Sequence, residues 1–375
     1  MKISIFLFSF LLCFLSIVTD VRAAAPPAIE TSAQQAVLME QDSGRVLYAK
    51  NEHEPQKIAS ITKIMTALLA IESGKMKETV EVSNNASGVE GSSLYLKPGE
   101  KIQLKDLTYG LMLRSGNDAA AAIAEHVGGS MDGFIYMMNE KASELGMNNT
   151  QFTNPHGLDD GDQHYSSAYD MALLMQYAMN NKTFREISGT ESYRAPQEGE
   201  EWDRIWNNKN KLLTSLYEYC TGGKTGYTKS AGRTLVTTAE KDGLSLIAVT
   251  LDAPSDWNDH TSMFEWAFEH VKKQELASEN EKITIGSTEY TGTLYLPYTL
   301  TYPVISDGNE TFKRKMSVSR EFMEKTDAGA VGEMKWYLNE EQIHSMPIMY
   351  EPEIKENNGF WKKLLPFFVK GGDAA

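Results

Sequence analysis

The chain has 375 residues, of which 41% are hydrophobic and 23% are charged, so it has the composition of an ordinary globular protein with room for two domains. Its formal net charge is −15 at pH 7. Because an acidic protein is repelled by the phosphate backbone, we expect no nucleic-acid partner.

The first 23 residues are predicted to be a secretory signal peptide. A positively charged start is followed by an apolar run over residues 3–18, and Val21-Arg22-Ala23 fits the small-residue pattern of a cleavage site. A retained membrane anchor is the alternative, although the run is slightly short for a spanning helix. Cleavage would remove Cys13 and leave Cys220 alone, so no internal disulfide is expected in an exported protein.

The stretch from Ile58 to Thr66 follows a predicted hairpin at residues 36–49 and carries the first candidate for chemistry. Ser60 and Lys63 stand three residues apart at the start of an apolar run with helical spacing, so the lysine can reach the serine hydroxyl. A lysine becomes a base when burial or a neighbouring cation lowers its pKa. The structural alternative is a serine that caps a core helix beside a solvated lysine, because this short pattern also occurs by chance.

A break between two helical regions supplies the second candidate. A helical pattern over residues 104–113 ends at Ser115-Gly116-Asn117, and another runs from Asp118 to Val127. Such a break can project Ser115 and Asn117 into a cleft. The same tripeptide also serves as an ordinary connection between helices.

Residues 154–164 are predicted to be a loop that contains His156, His164 and several aspartates. A metal site is conceivable there, but the spacing matches neither a calcium loop nor the usual zinc patterns, so no metal is predicted. Ser167 to Asp170 fits a capping box that begins the next helix.

Lys224-Thr225-Gly226 is the third candidate. A phosphate-binding loop is excluded, because that motif needs a glycine where the chain has Glu218 and a helix where strand-like runs follow. On an edge strand, Lys224 and Thr225 would present a cation and a hydroxyl to a cleft. Gly226 would let a substrate backbone come close.

The chain changes character after residue 272. Short alternating runs predict a small all-β domain over residues 278–350. The tail at residues 356–375 has an apolar, aromatic helical face and lysines elsewhere, which indicates an anchor in a membrane surface. Packing of the tail on its own domain or on a partner is the alternative.

The three fragments occur in the order that is a recorded signature of class A β-lactamases and penicillin-binding proteins. Together with Asn154 to Asp159, they make the chain resemble the D-alanyl-D-alanine carboxypeptidases, which are low-molecular-mass, penicillin-binding protein 5-like serine peptidases. The sporulation-associated members look most similar. The resemblance implies an α/β (α+β) fold: a serine transpeptidase/β-lactamase-like domain at residues 24–272, with an antiparallel sheet flanked by helices, and then the small all-β domain.

The resemblance also implies a two-step acyl transfer on a peptidoglycan stem peptide, which limits cross-linking in cell-wall or spore-cortex synthesis. Ser60 would be the nucleophile, Lys63 its base, and Ser115 a proton relay to the leaving D-Ala. The implied substrate-binding residues are Asn117 for an amide, Lys224 and Thr225 for the terminal carboxylate, Gly226, and Tyr227, whose backbone N–H would share the oxyanion with that of Ser60. No cofactor is implied, and β-lactams would be covalent inhibitors.

Three alternatives remain open. A transpeptidase would pass the acyl group to an amine. A class A β-lactamase deacylates with a glutamate of a Glu-x-x-Leu-Asn segment, and no Leu-Asn pair occurs before Leu338-Asn339. A non-catalytic wall-binding protein would have little reason to keep five such residues together: Ser60, Lys63, Ser115, Asn117 and Lys224.

Overall fold

The structure, a computed structural model, describes residues 26–159, 161–197, 199–285, 292–306, 309–319 and 327–352. The predicted signal peptide at residues 1–23 and the predicted anchor at residues 356–375 lie outside these ranges. Within them, no helix is both long enough and apolar enough to cross a membrane.

The described elements alternate between helices and antiparallel strands. The helices are α1 (Lys63–Glu72), α2 (Asn84–Ser87), α3 (Leu104–Arg114), α4 (Asn117–Gly128), α5 (Met131–Glu144), α6 (Ala168–Met179), α7 (Lys182–Ser188) and α8 (Asp256–His270). The strands are β1 (Gln35–Glu40), β2 (Val46–Lys50), β3 (Thr79–Glu81), β4 (Lys101–Gln103), β5 (Ser192–Ala195), β6 (Arg204–Asn207), β7 (Cys220–Thr228), β8 (Gly232–Lys241), β9 (Leu244–Leu251), β10 (Val271–Ala277), β11 (Lys282–Ile283), β12 (Gly292–Tyr295), β13 (Leu300–Ile305), β14 (Phe312–Val318), β15 (Gly329–Leu338) and β16 (Glu341–Pro352).

The central sheet has five strands in the order β2-β1-β9-β8-β7, and every pairing in it is antiparallel. Successive residues of β1 point to opposite faces, as a strand requires. Val37 and Met39 join the core that α1, α3, α4 and α6 form on one face, whereas Leu38 joins the core with α8 on the other. Apolar residues on both faces therefore place helices on both sides of the sheet, and β7 lies at one edge.

The region after α8 contains strands and no described helix. β11, β12, β16, β15 and β14 form a second five-stranded sheet, and β10 pairs with β13. Leu294, Trp336 and Ile348 are buried in its own core. The predicted fold class, a helix-flanked antiparallel sheet followed by an all-β region, is confirmed.

Several local predictions agree with the structure. The hairpin at residues 36–49 corresponds to β1 and β2, and the helices predicted before and after Ser115 are α3 and α4. The Ser167 hydroxyl caps α6 by accepting the Asp170 N–H, but the Asp170 carboxylate accepts the Asn149 N–H instead of completing a capping box. Helix α5 was not predicted from the sequence, because only three of its residues are buried: Phe134, Met138 and Ala142.

Candidate active site

Ser60 lies in a tight 3-10 turn, Ala59–Thr62, that leads directly into α1. Ile61 and Ile64 are fully buried and fix this turn in the core, while Ser60 remains half-buried. Lys63 is the first residue of α1, and its Nζ lies 2.9 Å from the Ser60 Oγ. The three-residue spacing therefore brings the two side chains into contact.

Lys63 is completely buried, and its amine has two further contacts. Nζ donates to Asn117 Oδ1 at 2.7 Å and to the His156 carbonyl oxygen at 2.7 Å. Burial lowers the pKa of Lys63 well below its ordinary value, and the nearby charges of Lys224 and Lys209 lower this pKa further. The carboxylate of Asp118 opposes that shift.

The break between α3 and α4 turns Ser115 and Asn117 towards Ser60. Ser115 ends α3 in the left-handed region, with φ 65°, and is almost fully buried. Asn117 begins α4, and its Nδ2 donates to the Glu90 carbonyl oxygen at 2.6 Å. This bond orients the amide so that Oδ1 faces Lys63.

The edge strand β7 closes the other side of the site. Lys224 is 2% exposed and donates from Nζ to the Thr225 carbonyl oxygen at 2.7 Å. Burial, followed by the charge of Lys209, lowers the pKa of Lys224 to about 7. A Cβ on Gly226 would lie 2.3 Å from Thr234 Oγ1 and 3.0 Å from the Ser60 backbone nitrogen, so only glycine lets β7 come this close to the serine.

A cavity of about 390 Å³ lies between these elements. The predicted site residues that line it are Ser60, Ser115, Thr225, Gly226 and Tyr227. Lys63, Asn117 and Lys224 do not line the cavity and are buried. The structure thus brings all eight predicted residues to one place, with the two lysines shielded from solvent.

The loop that contains His156 and His164 contacts Lys63 through its backbone. Asn154 Oδ1 accepts the Gly157 N–H at 2.7 Å, and Thr66 Oγ1 donates to the Pro155 carbonyl oxygen at 2.6 Å. These bonds hold the His156 carbonyl beside the lysine amine.

Among the described residues, no group of three or more His, Cys, Asp or Glu side chains is arranged to hold a metal ion.

Residues 20–255 match peptidase family S11, D-alanyl-D-alanine carboxypeptidase. The chain belongs to the D-alanyl-D-alanine carboxypeptidase family. The family expected from the three motifs is therefore confirmed.

Members of this carboxypeptidase family are similar to the chain over different lengths. DacF of Bacillus subtilis is 38% identical over 260 residues, which cover 67% of this chain and 66% of DacF. DacC of Escherichia coli is 30% identical over an alignment of 398 positions, which covers 95% of this chain and 93% of DacC. The crystal structure of penicillin-binding protein 5 from Haemophilus influenzae has a TM-score of 0.71 and 25% identity, and the match covers 88% of this chain and 98% of that protein. The last two similarities extend into the all-β region.

Several residues that line the cavity of this carboxypeptidase-family chain were not predicted from the sequence. Lys209, Lys211, Arg233 and Trp257 also line it. Arg233 donates from Nε and Nη2 to Asp256 Oδ1, at 3.0 and 2.8 Å. Asp256 lines the cavity too and pairs with Arg233, so the positive charge of the wall comes from Lys209 and Lys211. No short motif marks these positions.

Proposed function

We propose that this chain is a serine-type D-Ala-D-Ala carboxypeptidase that removes the terminal D-Ala from peptidoglycan stem pentapeptides. The single observation that carries the proposal is the contact between the buried Lys63 amine and the Ser60 hydroxyl. Ser60 Oγ attacks the carbonyl carbon of the penultimate D-Ala and gives its proton to Lys63. The peptide bond breaks, the terminal D-Ala leaves with a proton on its amine, and water then hydrolyses the ester.

The contacts of Lys63 support its role as the base. A neutral amine has two N–H bonds and one lone pair. Asn117 Oδ1 and the His156 carbonyl can only accept, so they take the two N–H bonds and leave the lone pair for the Ser60 hydroxyl. The lowered pKa of Lys63 favours this neutral form.

We propose that Ser115 delivers the proton that the leaving amine receives. Its position on the cavity wall, at the end of α3, supports a relay from Lys63 to the departing nitrogen. Asn117, fixed by Glu90, would hold a substrate amide with its remaining N–H.

The developing oxyanion would lie between the backbone N–H groups of Ser60 and Tyr227. The close approach of Gly226 to the Ser60 nitrogen supports this site, and such donors are typically worth about 3 kcal/mol each in the barrier. Thr225 and Lys224 would bind the terminal carboxylate. A carboxylate nearby favours the protonated lysine, so substrate binding and the charge of Lys224 support each other.

β-Lactams have the same acyl-donor chemistry and would acylate Ser60. The chain would act outside the cytoplasmic membrane, either extracellularly or attached to the membrane surface by residues 356–375. Its proposed export is supported by the apolar run and cleavage pattern of residues 1–23, and the resemblance to sporulation-associated members supports a role in spore-cortex synthesis. Removal of residues 356–375 tests the attachment: a truncated protein that still sediments with membranes contradicts it.

The experiment that tests the function is the release of D-Ala from diacetyl-Lys-D-Ala-D-Ala, measured beside labelling by a fluorescent penicillin. Ser60→Ala should lose both, whereas Ser143→Ala, which changes an exposed serine of α5, should keep both. Labelling without release would favour a transpeptidase or a sensor. Absence of both in the unmodified chain would contradict the proposal.

A further inference from the structure

A chain of hydrogen bonds connects His164 to the backbone beside the nucleophile. The Thr153 N–H donates to His164 Nδ1 at 3.1 Å, and His164 Nε2 lies 2.8 Å from Thr62 Oγ1. Thr62 Oγ1 in turn donates to the Ala59 carbonyl oxygen at 2.8 Å. His164 and Thr62 are both buried, so water does not compete for these bonds.

The chemistry of each group fixes the direction of the chain. A backbone N–H can only donate, so His164 Nδ1 carries the lone pair and Nε2 carries the proton. Nε2–H therefore donates to Thr62 Oγ1. The threonine hydroxyl is left with its own proton, which goes to the Ala59 carbonyl, and the imidazole holds this hydroxyl in one orientation.

The carbonyl at the end of the chain belongs to a residue with unusual backbone geometry. Ala59 has φ 49°, in the left-handed region that costs a non-glycine residue about 1–2 kcal/mol. Such conformations persist where surrounding bonds hold them, and they concentrate at functional sites. The bond from Thr62 is such a restraint.

A second contact holds the same carbonyl. Gly157 has φ +83°, and a Cβ at this position would lie 1.9 Å from the Ala59 carbonyl oxygen. The loop that contains His156 thus packs directly against Ala59. Two separate elements therefore determine the direction of one peptide group.

That peptide group includes the Ser60 N–H. In a planar trans peptide, the C=O and the N–H point in opposite directions. A restraint that holds the Ala59 carbonyl towards Thr62 consequently aims the Ser60 N–H away from Thr62. The Ser60 nitrogen lies beside Gly226 on the cavity wall, where the oxyanion is proposed to form.

We propose that His164 is a positioning residue which, through the Thr62 hydroxyl, sets the direction of the Ser60 N–H and so shapes the oxyanion site. The inference rests on the function proposed above, because in that function the Ser60 N–H binds the oxyanion. A residue that only stabilised the fold would leave the reacting carbonyl unchanged in a correctly folded variant. The proposed role of His164 predicts a change in that carbonyl.

The test compares Thr62→Val with Thr62→Ser in the full chain. Valine keeps the shape of threonine and removes the hydroxyl, whereas serine keeps the hydroxyl. Thr62→Val should still bind one fluorescent penicillin per chain but should acylate about 10- to 100-fold more slowly, since loss of a whole oxyanion donor costs about 100- to 1,000-fold. Thr62→Ser should stay within about threefold of the unmodified rate on the same reasoning.

A spectroscopic measurement separates positioning from packing. A carbonyl that accepts strong hydrogen bonds absorbs at a lower infrared frequency. The ester carbonyl of the penicillin adduct, identified by isotopic labelling of that carbon, should therefore move to a higher frequency in Thr62→Val and stay in place in Thr62→Ser. An unchanged rate and frequency in Thr62→Val, or equal losses in both variants, would overturn the proposal.

A comparison of single and double variants tests whether His164 acts through Thr62. His164→Leu removes the imidazole, while His164→Gln keeps an N–H donor in reach of Thr62. His164→Leu should slow acylation as Thr62→Val does, and the double variant should be no slower than Thr62→Val alone. Additive losses would mean that His164 acts by another route and would overturn the proposal. If Thr62→Val does not fold, the comparison of His164→Leu with His164→Gln decides in its place. Retention of D-Ala release by Ser60→Ala would instead refute the proposed function itself, without reference to Thr62.

Discussion

The side-chain amide of Asn117 has its oxygen 2.7 Å from Lys63 Nζ and its nitrogen 2.6 Å from the carbonyl oxygen of Glu90. The Glu90 carbonyl can only accept, so it decides which end of the amide faces the lysine. A neutral acceptor in this position orients the amine without adding a negative charge that would favour its protonation.

Asn117→Asp is expected to move the pH dependence of acylation. The carboxylate would raise the pKa of Lys63, and because the neutral amine is the active form, the rising limb of the rate would shift to higher pH. Asn117→Ala removes the acceptor without adding charge and should slow acylation with a much smaller shift. The check is the rate of penicillin labelling from pH 5 to 10, and coincident limbs in Asn117→Asp and the unmodified chain would contradict this account.

Lys63→Arg should abolish most of the acylation, because it replaces an amine that can become neutral with a permanent cation. The pKa of a guanidinium is too high for it to accept the serine proton, and general-base catalysis typically contributes about 100- to 10,000-fold. Stopped-flow acylation measures the loss, and circular dichroism checks the fold. A decrease of less than about tenfold would show that Lys63 is not the base.

Lys224→Met should change how stability depends on pH. Lys224 loses its proton at about pH 7 in the folded chain and near its ordinary pKa of 10.5 in the unfolded chain. Between these values the unfolded chain binds more protons, so this group makes stability rise with pH, by up to about 1.4 kcal/mol per pH unit. Below pH 7 both states are protonated and the slope vanishes.

Urea unfolding of both proteins at pH 6, 7 and 9 measures this slope. Groups whose pKa does not depend on Lys224 cancel in the comparison, whereas Lys63 does not, because the charge of Lys224 lowers its pKa. The unmodified chain should gain stability relative to Lys224→Met between pH 7 and 9, with little relative change from pH 6 to 7. A constant difference across all three values would mean that the folded Lys224 keeps its proton.

Gly157→Ala should disturb the site more than a matched change in the same loop. Gly157 (φ +83°) and Gly161 (φ +57°) both adopt left-handed conformations, but an added Cβ meets the Ala59 carbonyl at the first and no atom within 4 Å at the second. Each alanine carries a conformational cost of about 1–2 kcal/mol. The rate of penicillin labelling should fall only in Gly157→Ala. Equal rates in the two variants would show that the close approach of Gly157 to the Ala59 carbonyl does not affect acylation.

Contacts between residues close in sequence could be predicted, whereas contacts between distant segments could not. The three-residue spacing of Ser60 and Lys63 predicts their meeting from helix geometry alone. The contact of Lys63 with Asn117 spans 54 positions and needs α1 and α4 to pack together, so it was not predicted. The family resemblance placed both residues in one site but assigned Asn117 to a substrate amide.

The role of His156 was inaccessible for a different reason. It contacts Lys63 through its backbone carbonyl, 93 positions away, and this group is identical in every residue type. A search for reactive side chains therefore draws attention to the imidazole and misses the atom that makes the contact. Arg233 was missed because a single cation on a strand has no pattern until the fold places it beside the cavity.

The most direct test of the central claim, that Ser60 is the nucleophile of this site, is the mass of the intact protein after reaction with benzylpenicillin, followed by peptide mapping. The account predicts one adduct per chain, located on the peptide that contains Ser60, slow to form in Lys63→Arg and absent in Ser60→Ala. An adduct that maps to another residue, or one that persists in Ser60→Ala, would contradict it.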